Sequence, residues 1–236
     1  MRLVVLTTET LHHCYFVREM LASWPIELVV IERTGITPPF ETHHAFEDQR
    51  DAYERATLFD DCPTTIDQLA ETLEVRSASD AESLDRLRRI QPEAILVFGT
   101  GKLLRAVIEL CPDGIVNLHG GDPEHYRGLD SHLWAIYHGE YQHMKVTLHR
   151  VNERLDDGDV ILRRPLPICR GMKLYELRRV NTDLCISIAQ SALRSFSDVG
   201  RFESECQRQV GRYYSFMPAV LKGICRKKFE SYTQGL

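Results

Sequence analysis

The chain has 236 residues, 43% apolar and 27% charged, with a formal net charge of −5. Those values match an ordinary folded protein and exclude a fibrous or disordered composition, and the length suits one α/β domain with at most a short appendage. The negative balance argues against a broad phosphate-binding surface, so nucleic acid is not an expected partner, and the local cluster Lys222, Arg226, Lys227 and Lys228 reads as a solvated helix face.

Seven cysteines (14, 62, 111, 169, 185, 206 and 225) stand singly without a Cys-x-x-Cys pair, which points to reduced thiols and no zinc finger. The longest apolar runs are strand length, short of the roughly 20 residues a membrane-spanning helix needs. The opening Met-Arg-Leu-Val-Val-Leu passes at once into Thr7-Thr8-Glu9, too brief for a signal peptide. A cytoplasmic location without membrane contact is the expectation.

Residues 2–7 read as a buried strand, and residues 10–23 carry Leu11, Tyr15, Val17, Met20 and Leu21 at helical spacing until Pro25. A second strand over 26–32 precedes a polar stretch, 34–62, read as a functional loop with a short helix inside. Residues 64–73 suggest a helix and 74–76 a short strand. Ser79-Asp80-Ala81-Glu82 fits a capping box opening a helix with Leu84, Leu87 and Ile90 inward. The continuous apolar run Ala94-Ile95-Leu96-Val97-Phe98 is the pattern a parallel strand covered on both faces requires.

A helix is expected over 102–110, a strand over 115–119 and a helix over 131–137. Residues 146–151 alternate as a half-buried strand, 152–159 form a loop, and 160–162 form a further strand. Leu174, Leu177, Leu184, Ile188 and Ala192 mark one long amphipathic helix over 172–196. In the tail, 213–216 reads as a strand or hairpin arm and 220–229 as a helix. The β-α-β rhythm gives an α/β fold with a mostly parallel sheet.

Ligands of open α/β sheets bind beyond the carboxyl ends of the strands, where Asn117, His119 and Asp156 fall. Residues two apart on a strand share a face, so Asn117 and His119 point together. Such a trio suits acyl transfer to an amine: Asn donates to a developing oxyanion, His donates or shuttles a proton, and Asp holds the imidazolium or takes the amine proton. On residue type alone, a structural Asn-x-His and an ordinary Asp-Asp-Gly-Asp turn stay open.

Other features compete. Ten histidines invite a metal, but His12-His13 and His43-His44 are adjacent pairs and no His-Glu-x-x-His exists, so no metal is expected. Gly99-x-Gly101 lacks the third glycine of a dinucleotide fingerprint. His12 and His13 read as partly exposed helix residues, with an anion at the helix start as the alternative. Tyr213, Tyr214 and Phe216 read as core packing of the tail, with base stacking or a dimer interface as alternatives.

Asn117-Leu118-His119, Tyr126-Arg127-Gly128, Trp134-Ala135-Ile136 with Gly139-Glu140, Val146-Thr147-Leu148-His149 and Leu155-Asp156-Asp157-Gly158-Asp159 occur in that order. The series resembles the formyltransferase family, which includes glycinamide ribonucleotide, methionyl-tRNA and nucleotide-sugar formyltransferases, over about residues 94–168. The resemblance implies a Rossmann-like domain over 1–200 with a short C-terminal extension over 201–236. It implies 10-formyltetrahydrofolate as formyl donor and a small-molecule amine as acceptor. Carried over, Asn117 and His119 bind the formyl oxygen and Asp156 completes the catalytic triad. The pterin would rest, largely on backbone, against Phe98, Gly99, Gly101, Lys102, Leu103 and Leu104 and against Glu153, Arg154 and Leu155.

Three departures stand out. Gly120-Gly121-Asp122-Pro123-Glu124-His125 replaces the usual Pro- or Ser-containing loop and leaves acceptor recognition open, and the first strand ends in Thr7-Thr8-Glu9-Thr10 instead of a Gly-containing turn. The length leaves no room for the extra domains of the transfer-RNA enzymes or the folate-hydrolysing relatives. The expected acceptor is therefore the amino group of a nucleotide-linked sugar. Hydrolysis of the folate donor, or folate and nucleotide-sugar binding without turnover, is the alternative. Family habit and the apolar tail admit a homodimer through the extension.

Overall fold

The apolar runs of the N-terminal half become parallel neighbours: β1 (Leu3–Thr7), β2 (Ile26–Glu32), β3 (Thr72–Val75), β4 (Ala94–Phe98) and β5 (Ile115–His119). In the computed structural model, which describes every residue except Ile36 and Pro63, β6 (Tyr126–Gly128) leaves this sheet. β7 (Lys145–Arg150) returns antiparallel to β5, and β8 (Val160–Pro165) pairs antiparallel with β7 at the edge. The order across the seven strands is β3-β2-β1-β4-β5-β7-β8. β9 (Arg212–Tyr214) pairs in parallel with β6 as a separate ribbon.

Alternate residues of the same strands enter different cores, as a pleated strand requires. Leu3, Val5, Val29, Ile31, Leu96 and Phe98 face a larger core closed by α1 (Leu11–Leu21) and α2 (Ala45–Phe59). Val4, Leu6, Leu28, Val30, Ile95 and Val97 face a smaller one closed by α3 (Ala81–Ile90) and α4 (Arg105–Ile108). The larger core also takes α5 (Ser131–His138), α6 (Leu177–Val199) and α7 (Ala219–Gln234). Each such buried side chain contributes about 1.5–3 kcal/mol, and truncating fully buried Leu96 to Ala costs about 2–5 kcal/mol. The strand ends are thereby held rigid where the site is built.

Several expectations are corrected. The polar stretch 34–62, whose residue 36 lies outside the described residues, holds the 15-residue α2 rather than a short helix in a loop. Its apolar contribution is small, but the His44 side chain accepts from Phe46 N (3.2 Å) and the Glu47 carboxylate accepts from His44 N (2.9 Å), an N-terminal cap the sequence disguises. The helix expected over 64–73 is one 3-10 turn, Ile66–Gln68, because the Glu9 carboxylate captures Ile66 N (3.0 Å) and β3 begins at Thr72.

The capping box at 79–82 does not form. Asp80 takes Ser77 N (3.0 Å), and Ser79 Oγ accepts from Leu104 N (2.9 Å). The helix expected over 102–110 shrinks to α4, and the long helix expected over 172–196 is a 3-10 turn, Leu174–Glu176, followed by α6. β7 is buried on both faces: Val146 and Leu148 enter the larger core beneath α6, while Thr147 meets the Gly121 carbonyl and His149 meets Asp156 on the other. Residues 201–236 place Met217, Cys225 and Phe229 in the larger core. Among the described residues, no helix is long and apolar enough to cross a membrane.

Candidate active site

Register brings the polar side chains together. β5 and β7 pair antiparallel with Asn117 opposite His149 and His119 opposite Thr147. His149 Nδ1–H donates to the Arg150 carbonyl (2.7 Å), which leaves Nε2 to accept from the Asn117 amide (3.1 Å). The ring thus orients an amide that also approaches Asp156 Oδ1 at 3.5 Å.

Asp156 arrives from the loop after β7 with φ +51°, a left-handed conformation that Asp tolerates better than most residues. Gly158 makes the tight return possible, because a β-carbon there would collide with the Arg150 carbonyl. Asp156 Oδ2 accepts from Gly128 N (2.8 Å), and Oδ1 lies 3.5 Å from both His119 Nδ1 and His149 Nε2. Burial pushes this carboxyl upward. His119 first, then His149 and the Gly128 N–H, outweigh that push and hold it well below the usual carboxylate range.

His119 is buried, and its Nε2–H donates to the Tyr126 carbonyl at 2.9 Å, with Ser131 Oγ at 3.4 Å. A proton reaching Nδ1 therefore lies against the Asp156 carboxylate. The structure thus unites all three residues expected from the sequence and adds His149 and the Gly128 N–H. His149 was legible through alternation with Thr147 on β7. Gly128 was not, because a backbone donor leaves no mark in residue type.

Arg105, just beyond the first segment expected to meet a pterin, approaches the second, its Nε lying 3.9 Å from Glu153 Oε1. Phe98 and Leu103 are buried, while Leu104 is 59% exposed. Gly99 has a positive φ, and Gly101 N donates to the Glu32 carboxylate (2.7 Å). The backbone N–H groups of Lys102 and Leu103 have no partner among the described residues. Arg154 N donates to Asn152 Oδ1 (2.8 Å), and Arg127 Nε donates to the Leu155 carbonyl (2.9 Å), bracing the Asp156 loop. Gln207 braces it from the tail, its amide donating to the carbonyls of Asp156 (3.1 Å) and Gly158 (2.8 Å).

A cavity of about 290 Å³ opens beside His119, bounded among others by His12, Asp130, His132, Arg178 and Asn181. None of residues 98–104 or 153–155 lines it. His13 behind it is buried rather than partly exposed, and burial lowers its pKa to about 3.

Segment 120–125, where the sequence left acceptor recognition open, holds an ion network. Buried Asp122 accepts from Lys145 Nζ (2.8 Å), Arg163 Nη1 (2.8 Å) and His143 Nδ1 (3.0 Å). Asp122, His125 and His143 form the one potential metal-binding group among the described residues. Lys145 and Arg163 already neutralise its carboxylate, which disfavours a cation there. Tyr213 is 57% exposed rather than core, whereas Tyr214 stacks on Trp134 and Tyr126.

A family profile described as "Formyl transferase" matches residues 42–184, which include Asn117, His119 and Asp156. The chain belongs to the formyl transferase family. Methionyl-tRNA formyltransferase of Porphyromonas gingivalis is 31% identical over 65% of the chain and 48% of its own length. That of Moorella thermoacetica is 39% identical over 45% of the chain and 35% of its own length. The chain thus spans about half the length, or less, of these curated relatives.

The solved structures share the formyl transferase fold at low identity. Glycinamide ribonucleotide transformylase 1 from Symbiobacterium toebii superposes with a TM-score of 0.61 at 19% identity, over 90% of this chain and 94% of that one. The formyltransferase PseJ from Anoxybacillus kamchatkensis, solved with a UDP-linked formamido sugar and tetrahydrofolate, gives 0.54 at 15%, over 91% and 86%. HypX from Aquifex aeolicus with tetrahydrofolic acid gives 0.59 at 18%, over 99% and 35%.

Proposed function

We propose that this formyl transferase moves the formyl group of 10-formyltetrahydrofolate to an amine, and that the amine belongs to a nucleotide-linked amino sugar. The observation that carries the reading is the convergence of Asn117, His119 and Asp156 at the end of β5, with Asp156 Oδ1 3.5 Å from both the Asn117 amide and His119 Nδ1. Family membership supports the chemistry, and the net charge of −5 favours a small acceptor over a polyanion.

The neutral amine attacks the formyl carbon. The Asn117 amide donates to the oxygen as it becomes an oxyanion, and His119 Nε2–H exchanges the Tyr126 carbonyl for the same oxygen. Asp156 holds the imidazolium and assists removal of the amine proton. The free N–H groups of Lys102 and Leu103 and the exposed face of Leu104 offer donors and apolar surface to a pterin ring. The cavity on the other flank of His119 is left for the acceptor.

Tetrahydrofolate release from 10-formyltetrahydrofolate, followed spectroscopically with a panel of amino-sugar nucleotides and a no-acceptor control, tests the reading. Release that depends on one sugar is the expected result. Equal release without acceptor would replace transfer by hydrolysis.

A further inference from the structure

Two residues that line the cavity beside His119, Asn181 and Asp130, each carry an oxygen without a hydrogen-bond partner among the described residues. The first is Asn181 Oδ1. Asn181 is 9% exposed, its amide oxygen meets no hydrogen-bond donor, and it stands 3.1 Å from where a β-carbon on Gly120 would lie, one residue beyond His119. A buried oxygen left without a donor costs about 1–3 kcal/mol, which a ligand N–H would recover.

The second belongs to Asp130. An Asp just before a helix ordinarily caps it. Asp130 occupies that position before α5 with φ +51°, yet its side chain makes no cap bond. Oδ2 accepts from Met217 N (2.8 Å), and Oδ1 has no partner among the described residues. Burial raises this carboxyl above its ordinary pKa, against the pull of the Met217 N–H and Lys222. Asp156 shifts the other way and is by that measure the weaker base.

We infer that this cavity is the amine subsite, in which Asp130 takes the first proton from the incoming ammonium while the Asn181 amide oxygen accepts a second N–H. The inference rests on the formyl-transfer reading for its chemistry, though not for its binding. An ammonium carries three donors and a hydroxyl only one, so a carboxylate and a carbonyl oxygen together select the amine.

The step balances. R–NH₃⁺ gives one proton to the Asp130 carboxylate, leaving R–NH₂ and a neutral carboxyl. The freed lone pair forms the new C–N bond at the formyl carbon, and the C=O π pair moves onto oxygen. Collapse of the oxyanion restores C=O and breaks the bond from the formyl carbon to N10, whose pair stays on N10. The second amine proton passes through His119 and Asp156 to N10, and the proton on Asp130 is lost to water.

Binding of glucosamine and of glucose to the full chain, measured by ligand-observed NMR titration, separates amine from hydroxyl recognition without turnover. The expected result is a preference of about tenfold or more for glucosamine, lost in both Asp130→Asn and Asn181→Leu with unchanged unfolding midpoints. Equal binding of the two sugars, or binding of neither, overturns the inference. With the formyl donor present, Asp130→Asn should lose transfer to a primary amine by about 10²-fold or more while sparing hydroxylamine, which is already neutral at pH 7.5. Equal loss with both nucleophiles would reduce Asp130 to a structural residue. A preserved glucosamine preference with no formylation of any amine would sink the formyl-transfer reading and leave the subsite standing.

Discussion

Asp122 and Asp156 are built from the same materials and do different things. Each is a buried carboxylate among two histidines, and each is held below its usual pKa against the push of burial. Asp122 is clamped by the side chains of Lys145 and Arg163, and this network ties segment 120–125 to β7 and β8. Asp156 has only histidines, an amide and a backbone N–H around it. None of those partners is a Lys or Arg, and a cavity opens beside His119. The proposed chemistry therefore rests on the kind of partner rather than on the presence of an Asp–His pair.

The largest effects should fall on the Asp156 side. His119→Ala is expected to lower kcat by about 10³-fold or more, and Asn117→Ala by about 10²–10³-fold, with unfolding midpoints close to that of the parent chain. Turnover within tenfold of the parent in the His119 variant would remove the triad from the mechanism. Asp122→Asn should do the opposite. It leaves Lys145 and Arg163 facing a neutral amide and is expected to cost about 3–5 kcal/mol in urea unfolding, while the folded fraction keeps its kcat. A stable Asp122→Asn protein with kcat reduced a hundredfold would erase the distinction between the two clusters.

Much of this was legible in the sequence. The run from Ala94 to Phe98 declared a doubly covered strand, and the Asn-x-His spacing placed two side chains on one face of β5. α2 was hidden because its burial rests on few apolar residues and on Glu54, fully buried against Arg178 some 124 positions away. The cavity was hidden for the same reason. It gathers His12, Asp130, Arg178 and Asn181 from helices whose relative placement no local spacing encodes. Asp130 drew no reading from the sequence, and only the fold shows that it precedes α5 without capping it.

His13 sharpens the comparison, because it is a buried histidine whose hydrogen bond goes to Thr10 Oγ1 (2.8 Å) rather than to a carboxylate. Burial, then the field of Arg178, lowers its pKa from 6.5 to about 3. The unfolded chain thus binds a proton below pH 6.5 that the folded one refuses until about pH 3. Stability conferred by the neutral ring is complete above pH 6.5 and declines by up to about 1.4 kcal/mol per pH unit as pH falls toward 4. Asp156 acts mainly lower, its depressed pKa adding a decline that sets in only below about pH 5. Urea unfolding between pH 6.5 and 4.5 should show His13→Asn flattening the decline by about that slope. An unchanged slope would mean the ring is protonated in the folded state.

The smallest expected effect concerns the brace from the tail. Gln207 donates to two carbonyls of the Asp156 loop and makes no contact with His119 or Asn117 in the hydrogen-bond network. Its loss should leave the carboxylate in place on average, because Gly128 N still holds Oδ2, but with a looser backbone. Gln207→Leu is expected to lower kcat about tenfold, or about 1.4 kcal/mol of barrier, with KM for the acceptor unchanged. Gln207→Asn, which retains the amide at shorter reach, should recover part of that loss. A rise in KM at constant kcat would instead place Gln207 in acceptor binding. The Asp156 loop would then depend on Arg127 and Gly128 alone.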